Sequence, residues 1–152
     1  MIVLGIDPGT RRIGYGAVKY AGGVVSLIDA GLLIIEGKND QGALYETKEQ
    51  INKIVKKFKP SVLSIEKLYF MKNQKTALQV AQARGVIISA AMEHGLEIRE
   101  FGPNEIKLGI TGYGLSDKKA VFKMVRLILN EPKLDVIDDA SDALAVAIIA
   151  CR

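Results

Sequence analysis

The apolar positions fall into short dense runs and longer helical stripes, and the change of rhythm divides the chain into elements. Ile2 to Ile6 is a near-continuous apolar run closed by Asp7, the density of a buried strand. Ile13 to Tyr20 is a second extended run. Ala21-Gly22-Gly23 then reads as a hairpin turn. Val24 to Asp29 returns as a strand, ending there or continuing into a third run, Gly31 to Ile35 or Glu36. From Asp40 the period lengthens: Leu44, Ile51, Ile54, Val55 and Phe58 form one helical stripe, with Lys56-Lys57 suiting the C-terminal dipole and Pro60 as the stop. Ser61 to Glu66 is again a dense apolar strand.

Lys67 to Lys75 reads as a loop and Gln74 to His94 as a second helix. That helix carries apolar residues around much of its circumference, more than a helix with one wet face needs. Gly95 is a natural cap, and Leu96 to Phe101 is another strand. A short helix follows Pro103 to about Ile110, Thr111-Gly112-Tyr113-Gly114 is a loop, and Ser116 is expected to cap a helix running to about Leu129. Pro132 breaks the chain before a last helix, Asp138 to Ala150, with Asp138 as its candidate N-cap. An antiparallel meander feeding helix-crossed parallel strands predicts an α/β fold: a mixed five-stranded sheet with helices on both faces. No repeat, low-complexity tract or linker interrupts residues 1–152, so a single domain is expected.

Composition adds a bias of charge. There are 21 Lys and Arg against 17 Asp and Glu, a formal net charge of +4. If several acids are committed to one site, the rest of the surface is more basic than that figure. No apolar stretch reaches the ~18 residues of a membrane span. Met1 to Asp7 has no basic leader. The one cysteine, Cys151, leaves no disulfide framework or cysteine metal cluster and reads as an inert helix-end thiol. His94 reads as an exposed helix end without a role. A cytoplasmic protein is expected.

The candidate chemistry lies in four acids. Asp7 and Glu66 each end a strand, and ligand sites in such sheets form at the carboxyl ends of strands. Asp139 and Asp142 are three apart at the start of the last helix and share a face, as would Asp138 and Asp142. Singly, each acid fits a turn, a strand end or a helix start. Together they form a set of hard oxygen donors suited to Mg²⁺. Two such ions about 4 Å apart can drive an in-line phosphodiester displacement. Gly5-Ile6-Asp7-Pro8-Gly9-Thr10 also looks like the first phosphate loop of the actin, Hsp70 and sugar-kinase ATPases, but those bind nucleotide between two large lobes and this chain has length for one.

Over essentially its whole length the chain resembles the RuvC Holliday-junction resolvases of the RNase H-like nuclease superfamily. The motifs are Gly5 to Thr10 with Gly14-Tyr15-Gly16, Ile65-Glu66, Phe70-Met71-Lys72-Asn73, Ala77-Leu78, Gln82-Ala83-Arg84-Gly85, Lys107, Lys118, Met124-Val125-Arg126 and Asp139 to Ala145. Each is weak alone; their order and spacing are specific. The resemblance implies a homodimer, through the 74–94 helix, that binds four-way junction DNA and nicks two strands of like polarity using Mg²⁺ or Mn²⁺, with two ions per site. It implies catalytic, metal-holding acids at Asp7, Glu66, Asp139 and Asp142, with Asp139 preferred to Asp138 by motif register. It implies DNA contacts from Lys107, Lys118, Tyr69, Phe70, Lys72, Asn73 and Arg84, either Tyr69 or Phe70 being the aromatic that stacks on an unpaired base. A branch-migration complex is a further expected partner. Two other readings are a YqgF-type RNA-processing nuclease, which shares the strand-end acids, and a catalytically silent junction-binding protein.

Overall fold

A computed structural model describes residues 1–69 and 74–152; for Gln74 and Lys75 it describes the backbone alone. The strands are β1 (Ile2–Asp7), β2 (Arg12–Ala21), β3 (Val24–Ile34), β4 (Val62–Glu66) and β5 (Glu97–Phe101). The helices are α1 (Asp40–Phe58), α2 (Gln74–Glu93), α3 (Pro103–Thr111), α4 (Lys118–Leu129) and α5 (Asp138–Ile149). The five strands form one sheet in the order β3-β2-β1-β4-β5. β1 pairs antiparallel with β2 and parallel with β4, so the sheet is mixed, as the pattern of runs predicts. The run from Val24 continues as one strand to Ile34. Its register with β2 shifts between Ala17 and Val18, where Ile28 is the extra residue of a bulge.

Strand alternation divides the core in two. Leu4, Ile6, Leu63 and Ile65 face a cluster built with α1 and α2, including Ile51, Ile54, Phe58 and Ile87. Val3, Val18 and Val62 face the opposite cluster, built with α3, α4 and α5. Asp7 and Glu66 share the parity of Val3 and Val62, so both acids emerge on the α5 face. α5 is buried from Ala143 to Ile149, and its carboxylates, at Asp138, Asp139 and Asp142, are confined to its first turns. Glycines let it sit close to the sheet. A Cβ on Gly5 would stand 2.0 Å from the Ala143 carbonyl oxygen, one on Gly14 2.0 Å from that of Asp139, and one on Gly16 2.8 Å from Leu144. Buried Ser64 fastens the helix from below, its hydroxyl donating to the Val146 carbonyl at 2.6 Å.

Two expected caps differ. α4 is capped by Asp117, whose carboxylate accepts the Ala120 N–H at 2.8 Å. Ser116 is buried instead, pairing with the Thr111 hydroxyl at 2.6 Å and donating to the Tyr113 carbonyl at 2.7 Å. α5 is preceded by Ile137 in an extended conformation, which moves Asp138 into the first turn. No helix among the described residues is long and apolar enough to cross a membrane.

Candidate active site

Asp7 lies where the sheet edge and α5 converge. Its carboxyl is pushed up from 3.8 to about 7, first by burial and then by the charges of Asp142, Asp139 and Glu66, with Lys118 acting against them. Glu66 is also raised, by burial and then Asp142, and is relieved by Lys118 and Lys107. These mutual effects bring together the four acids that the sequence singles out. Asp138 is exposed and does not act on Asp7 or Glu66; its charge reaches Lys118. Asp139 is the member of that pair whose charge reaches Asp7.

Cations stand beside two of the three α5 acids. Lys118, the first residue of α4, donates to Asp142 Oδ2 at 2.9 Å, and its own affinity for a proton is raised by that bond and by neighbouring acids. The Thr111–Ser116–Tyr113 hydrogen bonds brace the loop from which α4 starts and so fix where Lys118 begins. Arg12 Nε stands 3.5 Å from Asp139 Oδ2, with 56% and 34% of the two side chains exposed. Exposed pairs of this kind contribute about 0–1 kcal/mol each, so they yield readily to a stronger ligand. Among the described residues no three acidic, histidine or cysteine side chains already surround one metal position. Even so, the donor set fits a hard divalent cation. All four donors are carboxylates, and burial of Asp7 beside the other three pushes its carboxyl up to about 7, a crowding of charge that a cation would relieve.

Glu66 is steadied through its backbone. Arg84 of α2 donates from Nε to the Glu66 carbonyl at 3.0 Å and from Nη2 to Glu100 at 2.5 Å, and the Lys67 N–H donates to the Phe101 carbonyl at 2.9 Å. The Arg84 side chain is 17% exposed, and its guanidinium ties α2 to the ends of β4 and β5. Lys107 of α3 is half-buried and close enough to lower the Glu66 carboxyl. Tyr69 is 58% exposed, and its hydroxyl would stand 2.9 Å from a Cβ on Gly102. Phe70, Lys72 and Asn73 lie outside the described residues.

Sequence reasoning missed Arg12. Its signal was the hairpin register: Gly14 pairs with Asp7, and Arg12 lies two residues earlier in β2, on the same face. His94 pairs with the Asn52 side chain at 3.0 Å and Cys151 is buried, its thiol pushed up by burial; neither approaches the acids.

The family model described as "Crossover junction endodeoxyribonuclease RuvC" matches residues 3–150. Proteins of that name from Ruminiclostridium cellulolyticum and Thermosipho melanesiensis are 42% and 43% identical to this chain, each over 97% of it and over 90% and 94% of their own lengths. Among solved structures, Thermus thermophilus RuvC in complex with Holliday junction substrate superposes with a TM-score of 0.91 at 27% identity, covering 98% of this chain and 92% of that one. The yeast mitochondrial Holliday junction resolvase, at 13% identity and a TM-score of 0.74, shares the fold. With its acids, basic neighbours and mixed sheet in that company, the chain belongs to the RuvC family of crossover junction endodeoxyribonucleases.

Proposed function

We propose that residues 1–152 form a single nuclease domain that, as a homodimer, resolves four-way DNA junctions by metal-dependent hydrolysis of one phosphodiester in each of two like-polarity strands. The observation that carries this reading is the Asp7 carboxyl. It is held near 7 by burial among three other carboxylates, with Lys118 and Lys107 alongside. Such crowding disfavours four negative charges and favours an arrangement completed by cations. The relatives' name supplies the reaction, and the Thermus complex supports the substrate.

Asp7, Glu66, Asp139 and Asp142 are the proposed catalytic acids and metal ligands. We take the ion to be Mg²⁺, with Mn²⁺ as a substitute and two ions per site. Bound there, divalent cations supply Lewis acidity at the phosphate and lower the pKa of water. The protein's own groups do the rest. Asp7 would give up its proton on holding a cation. Lys118 and Lys107 offset phosphate charge, the first exchanging Asp142 for substrate. Water would add in line to phosphorus, losing a proton to solvent, as the bond to one deoxyribose oxygen breaks and that oxygen takes up a proton from solvent. Either Tyr69, which is exposed, or Phe70 is the proposed aromatic that stacks on a base unpaired at the crossover. Phe70, Lys72 and Asn73 belong to the same proposed DNA loop. Arg84 acts on DNA through the loop that follows Glu66. The 74–94 helix is the proposed dimer surface. A chromosomal substrate agrees with a cytoplasmic location, and a branch-migration complex is the proposed further partner.

One assay tests the reading: four-way junction, duplex and structured RNA are incubated with Mg²⁺ or EDTA and the cuts mapped. Symmetric cuts in the junction with Mg²⁺ alone are expected, and Asp7→Asn should bind the junction without cutting it. RNA cleavage in preference to the junction, or wild-type cutting by Asp7→Asn, would overturn it.

A further inference from the structure

Resting on the reading above, we infer that Arg12 is a phosphate-binding residue of the cleavage site, parked on Asp139 until a divalent cation claims that carboxylate and then turning to the DNA backbone beside the scissile phosphate. The placement follows from the strand. Gly14 pairs with Asp7, so Arg12, two residues earlier in β2, overhangs the end of β1. Residues 12, 14 and 16 share one face, and missing Cβ atoms at Gly14 and Gly16 let α5 close onto it. The Arg12 side chain thereby projects past Gly14 toward the first turn of α5, where it meets Asp139.

The contact is loose in a way that suits exchange. Nε stands 3.5 Å from the carboxylate, longer than a good hydrogen bond, and the side chain is 56% exposed. Among the described residues no side-chain hydrogen bond engages its guanidinium, so at 56% exposure the fork that binds phosphate bidentately is open to another anion beside the acid cluster. Lys118 makes a matching contact on Asp142 at 2.9 Å from the far side of the cluster. The two α5 acids are thus flanked by two cations on different elements, β2 and α4. A strand of DNA laid over the acids would pass between them. When cations fill the site, both basic side chains lose their carboxylates, and the nearest remaining anions are the phosphates on either side of the cut.

Arg12→Gln removes the charge at an exposed position, and Arg12→Lys restores it without the fork. Mn²⁺ binding to DNA-free protein, read by electron paramagnetic resonance, should be on the order of threefold tighter in Arg12→Gln, because a competitor for Asp139 has gone. Junction binding by fluorescence anisotropy, with Ca²⁺ in place of the cutting ion, should show a salt slope shallower by about 0.9, one phosphate contact, with Arg12→Lys recovering most of it. In EDTA, where Asp139 keeps Arg12, the slopes should converge. A Ca²⁺ slope equal to wild type, or an unchanged Mn²⁺ affinity, would overturn the inference. The substrate reading fails separately: wild-type protein would then bind the four-way junction no better than duplex, whereas the Mn²⁺ titration would still report the hold of Arg12 on Asp139.

Discussion

Asp7 shows how one residue can set the pH behaviour of a whole site. Its proton is held more tightly in the folded chain than in the unfolded one, about 7 against 3.8. Such a group stabilises the fold fully below its unfolded value and loses that contribution as pH rises through the folded one. Between pH 4 and 8 the metal-free protein should therefore lose on the order of 3 kcal/mol relative to Asp7→Asn, which has no carboxyl to ionise. Denaturant unfolding of both proteins in EDTA across that range measures it; parallel curves would show that Asp7 is not strained. Glu66, also raised, tilts both curves the same way and leaves the difference to Asp7. Adding Mg²⁺ at pH 8 should restore stability to wild type and leave Asp7→Asn unmoved, since a ligand stabilises only a state that binds it.

At the scale of elements, the site depends on how deeply α5 sinks into the sheet. The three glycines beneath it carry that depth, because a methyl group on Gly14 would meet the Asp139 carbonyl oxygen at 2.0 Å and have to push the first turn away. Gly14→Ala should cost about 1–3 kcal/mol and weaken Mn²⁺ binding, whereas Gly114→Ala, whose Cβ would find its nearest neighbour at 3.4 Å, should stay within about 0.5 kcal/mol. Thermal unfolding with a Mn²⁺ titration separates the two; equal tolerance would mean that α5 can shift without cost. The contrast marks what was legible in the sequence. Dense runs and helical stripes located the five strands and five helices of the described residues, because period and punctuation are local properties. Asp7 and Glu66 were readable as strand ends for the same reason. The glycine motif was visible but not its purpose, which needs a helix from the other end of the chain. Ser116 and Asp138 looked like caps because each precedes a helix. Tertiary partners took the Ser116 hydroxyl, and a one-residue shift in where α5 begins carried Asp138 past the cap. The partners of Arg84, Glu100 and the Glu66 carbonyl, were not legible either, because they lie on other elements.

At the scale of the whole molecule, the question is what two cuts in one branched substrate require. A four-way junction has two-fold symmetry, and one acid cluster can cut one strand at a time, so paired nicks call for two clusters related by the same symmetry. α2 has the surface for it. Ala83, Ile87, Ala90 and Ala91 face the core, while Leu78 and Met92 are 66% and 63% exposed on the opposite side. Ala81, Gly85 and Ser89 are also exposed, so apolar and small residues recur along one outward stripe. The breadth of apolar residues noted in the sequence is thus divided between a buried face and an open one. Arg84 on this helix holds the Glu66 carbonyl, so a partner docked on α2 would sit one side chain from the catalytic edge. A Cβ on Gly85 would meet nothing within 4 Å of its own chain. Gly85→Arg therefore puts charge and bulk on the outward stripe without disturbing the monomer, and an arginine suits a helix interior better than glycine. By sedimentation equilibrium the variant should have half the wild-type mass, with its unfolding still cooperative. On a plasmid carrying an extruded cruciform it should yield nicked circles where wild type yields linear product, because the two cuts are no longer made within one complex. A Gly85→Arg protein that keeps the wild-type mass and linearises the plasmid would move the dimer surface off α2.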